Sequence, residues 1–443
     1  MKTMRFLILI IFLMSVPVIY GAETSRAIDG LDQEKEWSIM IYSSLDVEDW
    51  LESAFFDELT QFSKIRAAGD TVHIVAQVDF RTDEKKPSER YYFKDQQMIS
   101  LEKLENYNAG DQQVFADFLR WGMKFPAKHR MLIIQSHGSS WMSFAGPTLP
   151  EHPVASKSFS YDDGSNDCLN IFEATGAFRE VLNGRKIDIL AFRACMMDQI
   201  ETAYQYSPFF DYFVGSETVQ FADSDYKLGP AFQEALEKSG VSPRDLAVSI
   251  YETFLEPNLK SYSYSMLYHT MCGGSFKMAC LDLGKLREAA PKFLELNSIL
   301  TSGLDSSDRE NYSSALLGSR KKAVKMGGTL SKLYADSDDY EFVDLGSFLD
   351  KFALECGTLI SISDQKEKIV SLCSQCREAL TQATVQCYPS PELEGMYTAA
   401  TFIMPQKNKM VQYYLKNLEP VFQEMDFCRD TNWDVVLHKL YVQ

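Results

Sequence analysis

The chain of 443 residues carries 44 Lys and Arg against 62 Asp and Glu, a formal net charge of −18 at pH 7. A surface this acidic repels phosphate backbones, which argues against nucleic acid as a partner. With 45% hydrophobic and 13% aromatic residues the composition is globular, and the length allows one large core with an attached second unit.

Lys2 and Arg5 precede an almost wholly apolar run, Phe6–Tyr20, and Gly21-Ala22 supplies small residues before the polar Glu23-Thr24. This is the order of an export signal occupying residues 1–22. The run falls short of the ~20 residues a membrane span needs. The expected mature chain is therefore secreted or otherwise extracytoplasmic, without a membrane anchor. Removal of Lys2 and Arg5 leaves it at −20.

Trp37–Tyr42 reads as a strand, Val47–Phe62 as a helix with apolar spacing, and Val72–Val78 as a second strand. Arg90–Phe93 suits an edge hairpin strand. Asp111 is a good N-cap for a helix running to about Lys124. Met131–His137 is a near-continuous apolar strand, of the kind found in a parallel sheet covered on both faces. Residues 138–166 read as an exposed loop, Asn170–Leu182 as a helix, and Ile187–Phe192 as the next buried strand. Met196–Tyr206 reads as a helix and Tyr212–Ser216 as a further strand. The alternation predicts an α/β fold with a doubly wound, mainly parallel sheet flanked by helices over residues 36–290.

Residues 291–443 read as mostly helical, with helices near 284–300, 308–333, 341–353 and 365–385, a strand near 397–404 and a last helix over Val411–Met425. Of nine cysteines, one must stay free in an oxidising compartment, and no pairing is assignable. Cys373 and Cys376 form a CxxC on a helical pattern with no His pair at zinc spacing. That favours burial or a disulfide over metal, with a thiol–disulfide enzyme as a remote alternative. No stretch resembles an EF-hand, and neither metal nor cofactor is expected.

Ligands of doubly wound sheets bind at the carboxyl ends of strands. His137, Cys195 and Ser216 all fall there. A cysteine nucleophile needs a base and donors for an oxyanion. Cys195 follows a buried strand and, on this reading, opens a helix whose positive end would lower its pKa and leave its amide free. Gly138, directly after His137, lets the backbone approach a bound carbonyl. The pair His137–Cys195, with the Gly138 and Cys195 amides as oxyanion hole, is the candidate constellation. His269, near Gly273, is a weak rival for the base.

The stretches Trp37–Tyr42, Asn108–Asp111, Met131–Trp141 (with His137-Gly138), Ile187–Met196 (with Ala194-Cys195-Met196), Tyr340–Leu345 and Thr401–Pro405 resemble, in order, those of the clostripain family of cysteine peptidases. The resemblance implies a caspase-like fold, His137 as base and Cys195 as nucleophile, and a peptide or protein substrate cleaved by an exported endopeptidase. A catalytically inactive peptide-binding homologue on the same scaffold is the alternative. Relatives that cut after Arg or Lys carry Asp two residues before the nucleophile, where this chain has Arg193. A cation there repels a basic P1 residue, unless Arg193 pairs with an acid such as Asp198 or Asp223 and points away. The stretch from Ser216 through Glu217 and Asp223 to Tyr226 resembles the family's substrate-binding loop, whose backbone pairs with an extended peptide. Residues 142–166 correspond to a segment cleaved during maturation in some relatives, with Lys157 as a candidate cut site.

Overall fold

Among the described residues nine strands form one sheet, and its five central strands are parallel. The computed structural model describes residues 29–81, 87–141, 158–221, 228–264, 276–326, 342–360, 363–388, 401–405, 411–412 and 414–442. The expected export signal, His152, Lys157, Asp223, His269 and Cys272 lie outside them.

The first half contains β1 (Lys35–Ser44), α1 (Asp49–Thr60), β2 (Val72–Asp79), β3 (Ser88–Lys94), β4 (Gln97–Leu104), α2 (Gln112–Gly122), β5 (Ala127–Gln135), β6 (Phe159–Asp162), β7 (Asp167–Leu169), α3 (Ile171–Leu182), β8 (Ile187–Arg193), α4 (Ile200–Tyr206) and β9 (Phe210–Ser216). Then come α5 (Pro230–Glu237), α6 (Pro243–Tyr264), β10 (Met278–Asp282), α7 (Leu283–Glu288), α8 (Ala290–Leu304), α9 (Arg309–Lys322), β11 (Lys325–Met326), β12 (Phe342–Asp344), α10 (Leu345–Leu359), α11 (Ser363–Ala383), β13 (Thr384–Tyr388) and β14 (Thr401–Ile403). A π-helical turn, Tyr414–Leu418, leads into α12 (Glu419–Gln423), α13 (Asp426–Thr431) and α14 (Trp433–Tyr441).

The sheet order is β13-β10-β9-β8-β5-β1-β2-β3-β4. β9, β8, β5, β1 and β2 run parallel, with antiparallel pairs added at both edges. Successive side chains of a strand point to opposite faces. Ile39 and Ile41 of β1, Ile133 of β5 and Ala191 of β8 therefore share a core with Leu51, Phe55 and Leu59 of α1 and Phe254 of α6. Tyr42 points the other way, against Phe115 and Phe118 of α2, with ring centroids 5.0 and 4.9 Å apart. Both faces are covered, as the uninterrupted apolar strands predict.

Leu31–Gln443 forms one compact unit. The C-terminal helices pack beside α4, where Phe427 of α13 meets Tyr204 at 5.6 Å between centroids. β13, from that same region, pairs with β10 at the sheet edge.

Several local expectations need correcting. The helix after Cys195 begins at Ile200, with Gln199 as N-cap, and Ala194–Gln199 is a turn in which Met196 takes φ 51°. β4 escaped the sequence reading because its two-residue turn, Asp95-Gln96, has no glycine, although both residues sit at positive φ, 52° and 59°. That is the backbone twist short hairpins favour. Within the expected loop 138–166, Ser158–Ser160 are buried and β6 forms, pairing with β7 just beyond the loop. Two further helices, α13 and α14, follow the one expected to be last.

Candidate active site

β5 and β8 are neighbours in register, Gln135 beside Arg193. The Ser136 amide extends the pairing by donating to the Arg193 carbonyl at 3.3 Å. His137 and Cys195, each two residues beyond that matched pair, leave the sheet side by side. Their backbones meet closely. A Cβ on Gly138 would lie 2.4 Å from the Cys195 carbonyl oxygen, 2.9 Å from the Ala194 Cβ and 3.1 Å from the Cys195 nitrogen. No side chain fits there, so glycine is required by contact.

His137 Nε2 lies 2.8 Å from Glu48 Oε2. Glu48 stands just before α1, at the carboxyl end of β1. The hydrogen bond from His137 is the main reason the Glu48 carboxyl lies below its ordinary pKa. With Nε2–H donating to the carboxylate, the neutral imidazole offers Nδ1 as its basic nitrogen. Tyr161 of β6 packs edge-on against the ring at 5.8 Å, and its hydroxyl lies 2.8 Å from Ser139 Oγ. The hairpin β6–β7 thus fixes the imidazole's second face.

Cys195 is half-buried, and its thiol donates to the Gln220 carbonyl at 3.6 Å. Burial pushes this thiol above its ordinary pKa, against smaller downward pulls from Gln220 and Arg193. The expected lowering by a helix N-terminus does not operate, because α4 starts five residues further on and the macrodipole acts only within a turn. The resting sulfur is a protonated thiol.

Arg193 is 2% exposed and lies on the α1–α6 side of the sheet. Its Nε donates to Glu58 Oε2 at 2.9 Å, Nη2 to Glu58 Oε1 at 2.5 Å and to the Phe221 carbonyl, and Nη1 to Gln220 Oε1 at 3.0 Å. Its acid is therefore Glu58 of α1, not Asp198. The rings of Phe55 and Phe254 flank the guanidinium at 5.9 and 6.0 Å. Gln135 Nε2 donates to Glu58 Oε2 at 3.2 Å, and Ser43 Oγ to Gln135 Oε1 at 2.7 Å. Ser216 and Glu217 are fully buried. The Ser216 hydroxyl donates to the Lys277 and Thr218 carbonyls, both at 2.9 Å, so it anchors the start of the following loop.

Among the described residues, Asp46, Asp79 and Asp162 bring carboxylate oxygens within 4.8 Å of one another. All three are buried. Desolvation, with Asp162 and Asp46 as further causes, pushes Asp79 up to about 8. Ser88 donates to Asp79, and the Ala109 and Ser165 amides donate to Asp162. The cluster has the oxygen chemistry of a hard divalent cation. Protonation of Asp79 meets the same electrostatic demand without one. Cys373 and Cys376 are buried in α11, and burial pushes both thiols up, Cys376 to about 12, which leaves no reactive thiolate there.

Sequence reading missed Glu48, Glu58, Gln220 and Tyr161. Glu48 was findable, since it follows β1 at the same strand-end level as His137.

The sheet order and the strand-end pair define a caspase-like α/β scaffold. The profile of the clostripain family matches residues 55–439. Clostripain from Hathewaya histolytica is 30% identical over 136 residues, covering 30% of this chain and only 25% of that protein. A secreted C11 cysteine protease of Bacteroides thetaiotaomicron, "iotapain", shares the fold with TM-score 0.60 at 14% identity, over 90% of this chain and 99% of that one. An inactive zymogen C11 protease from Parabacteroides distasonis does so with TM-score 0.57 at 14% identity, over 90% and 98%. The chain belongs to the clostripain family of cysteine-type peptidases. No helix among the described residues is long and apolar enough to cross a membrane.

Proposed function

We propose that this protein is an exported cysteine endopeptidase working through His137 and Cys195. The observation that carries the reading is the contact of Gly138 with Cys195 at adjacent strand ends, where the two backbones come too close for a methyl group between them. The Cys195 S–H proton passes to His137 Nδ1 as the sulfur attacks the scissile carbonyl carbon. The Gly138 and Cys195 amides receive the developing oxyanion. His137 returns the proton to the leaving amine, and a thioester remains. Water, deprotonated by His137, then cleaves the thioester to the free acid and the thiol. Because burial keeps the thiol protonated, substrate binding and proton transfer are coupled in the first step. The segment from Ser216 and Glu217 to Asp223 is the substrate-binding loop; the Ser216 and Glu217 backbones are engaged inside the protein and anchor it, and the part towards Asp223 pairs with an extended peptide. Specificity at P1 is for residues other than Arg and Lys.

An acyloxymethyl-ketone probe on a neutral peptide tests the chemistry. It labels the wild-type chain at Cys195, fails on Cys195→Ala and labels His137→Ala at least a hundredfold more slowly, on the order of general-base contributions. If Cys195 is no more reactive than the other thiols at neutral pH, the protein is a peptide-binding homologue instead. A positional-scanning peptide library reads P1, and cleavage confined to Arg or Lys overturns that part.

A further inference from the structure

The Arg193–Glu58 pair is joined to Cys195 through a single residue, Gln220. In any acyl-transfer peptidase the P1 side chain hangs from the residue whose carbonyl the sulfur attacks, so its pocket opens within one side-chain length of that sulfur. Gln220 marks this position. Its carbonyl accepts the Cys195 thiol, and its Oε1 accepts Arg193 Nη1 at 3.0 Å. Behind it lies a cavity lined by Ile41, Glu58, Ile133, Gln135, Arg193 and Phe254, with room for roughly one water. Arg193 forms part of its wall. It is held there as a guest would be, with two hydrogen bonds on one carboxylate, a carbonyl on Nη2 and aromatic rings on its flanks. Two-pronged pairing to a buried acid between aromatic walls is the chemistry that selects arginine.

We propose that Arg193 is an internal P1 residue. It occupies a basic-specific pocket whose acid is Glu58, and so closes that pocket to Arg and Lys substrates. The inference rests on Cys195 being the nucleophile. Glu58 is then a latent specificity determinant, supplied by α1 rather than by the strand that carries Cys195. Removing the guanidinium leaves a buried carboxylate in a cavity of matching length, and an entering Arg or Lys side chain restores the lost pairing.

The test compares full-length wild type, Arg193→Ala, and Arg193→Ala with Glu58→Gln. Each is assayed against peptides differing only at P1 and against the neutral acyloxymethyl-ketone probe. Arg193→Ala is expected to gain at least tenfold in kcat/KM for P1 Arg over P1 Ala relative to wild type, and the double variant to lose that gain. A labelled Arg193→Ala without basic preference overturns the proposal, as does a double variant that keeps the preference. Wild type unlabelled at Cys195 condemns the peptidase reading instead. Should Arg193→Ala be unstable, its thermal unfolding in agmatine, a small alkyl guanidinium, decides. The proposal expects Tm to rise for that variant and not for the double variant, and equal or absent shifts overturn it.

Discussion

Glu48 and Asp79 show two opposite fates of a carboxyl near this site. Glu48 is partly exposed, and its hydrogen bond with His137 holds its pKa down. Its role in the proposed chemistry is positional: it fixes the Nε2–H tautomer and steadies the imidazolium that forms when the thiol gives up its proton. Glu48→Gln retains an acceptor for Nε2–H but removes the charge. The expected loss in kcat is on the order of tenfold, short of the ~10²–10⁴ of general acid–base catalysis. A pure stability role would lower Tm and leave the kcat of the folded enzyme in place. Asp79 is pushed up to about 8 by burial. Its unfolded pKa is near 4, so between about pH 4 and pH 8 the unfolded chain releases a proton that the folded chain keeps. Folding stability from this group therefore falls as pH rises through that window, by at most ~1.4 kcal/mol per pH unit. Asp79→Asn, which still accepts from Ser88, is expected to raise Tm in chelator, more at pH 8 than at pH 5. If added calcium reverses the sign, so that the wild type becomes the more stable protein, the Asp46–Asp79–Asp162 cluster holds a cation. Strand ends placed His137 and Cys195 together in the sequence, and the resemblance to the family supplied the roles proposed for them. Arg193's partner was not legible there, because Glu58 reads as an ordinary polar position on α1 and is 2% exposed only through tertiary packing.

At the level of elements, what could be read was what periodicity encodes. β1, β2, β5, β8 and β9 stand out because burial on both faces demands unbroken apolar runs. α3 stands out because its start carries chemistry of its own. Asn170 accepts from the Phe172 and Glu173 amides, both at 3.0 Å, and Glu173 Oε2 accepts from the Asn170 amide at 3.0 Å. Asn170→Ala removes the acceptor for two otherwise orphaned donors and is expected to lower stability by about 1 kcal/mol in urea unfolding. A loss within error of zero would mean that water replaces the cap. The start of α4 was misplaced for the converse reason. Met196-Met197 continues an apolar pattern into a turn, and the positive φ of Met196 is a local conformation that methionine's identity does not announce. The misplacement matters chemically, since it reverses the expected direction of the Cys195 pKa. β6 and β7 went unread because they are four and three residues long, below the length at which alternation is informative. Yet Tyr161 of β6 is what packs on His137.

On the scale of the whole molecule, the C-terminal helices were legible as helices but not as part of the catalytic scaffold. Their attachment consists of pairings far apart in sequence, which no local pattern reports. Tyr204 OH of α4 donates to Asp430 at 2.7 Å, and the Asp426 amide donates to Gln205 Oε1 at 2.9 Å. Thr401 Oγ1 donates to the Asp198 carbonyl at 3.2 Å, and the Ile403 amide to Glu201 Oε1 at 3.2 Å. Asn297 Nδ2 donates to the Thr431 carbonyl at 2.9 Å. All but the last of these end on the turn and helix directly after Cys195. A chain ending at residue 290 would strip α4 of these partners and leave the apolar side of Tyr204 in water. It would also remove β13 and expose the edge of β10, and unpaired strand edges recruit other chains. The expected outcome is that the truncated chain binds a hydrophobic dye, aggregates and fails to label at Cys195, whereas the full chain unfolds in a single calorimetric transition. A soluble, cooperatively folding and labelled 36–290 fragment would show instead that the sheet and its N-terminal helices stand alone. Packing favours the first result, because α4 is both the helix directly after the Cys195 turn and the one on which the C-terminal region is anchored.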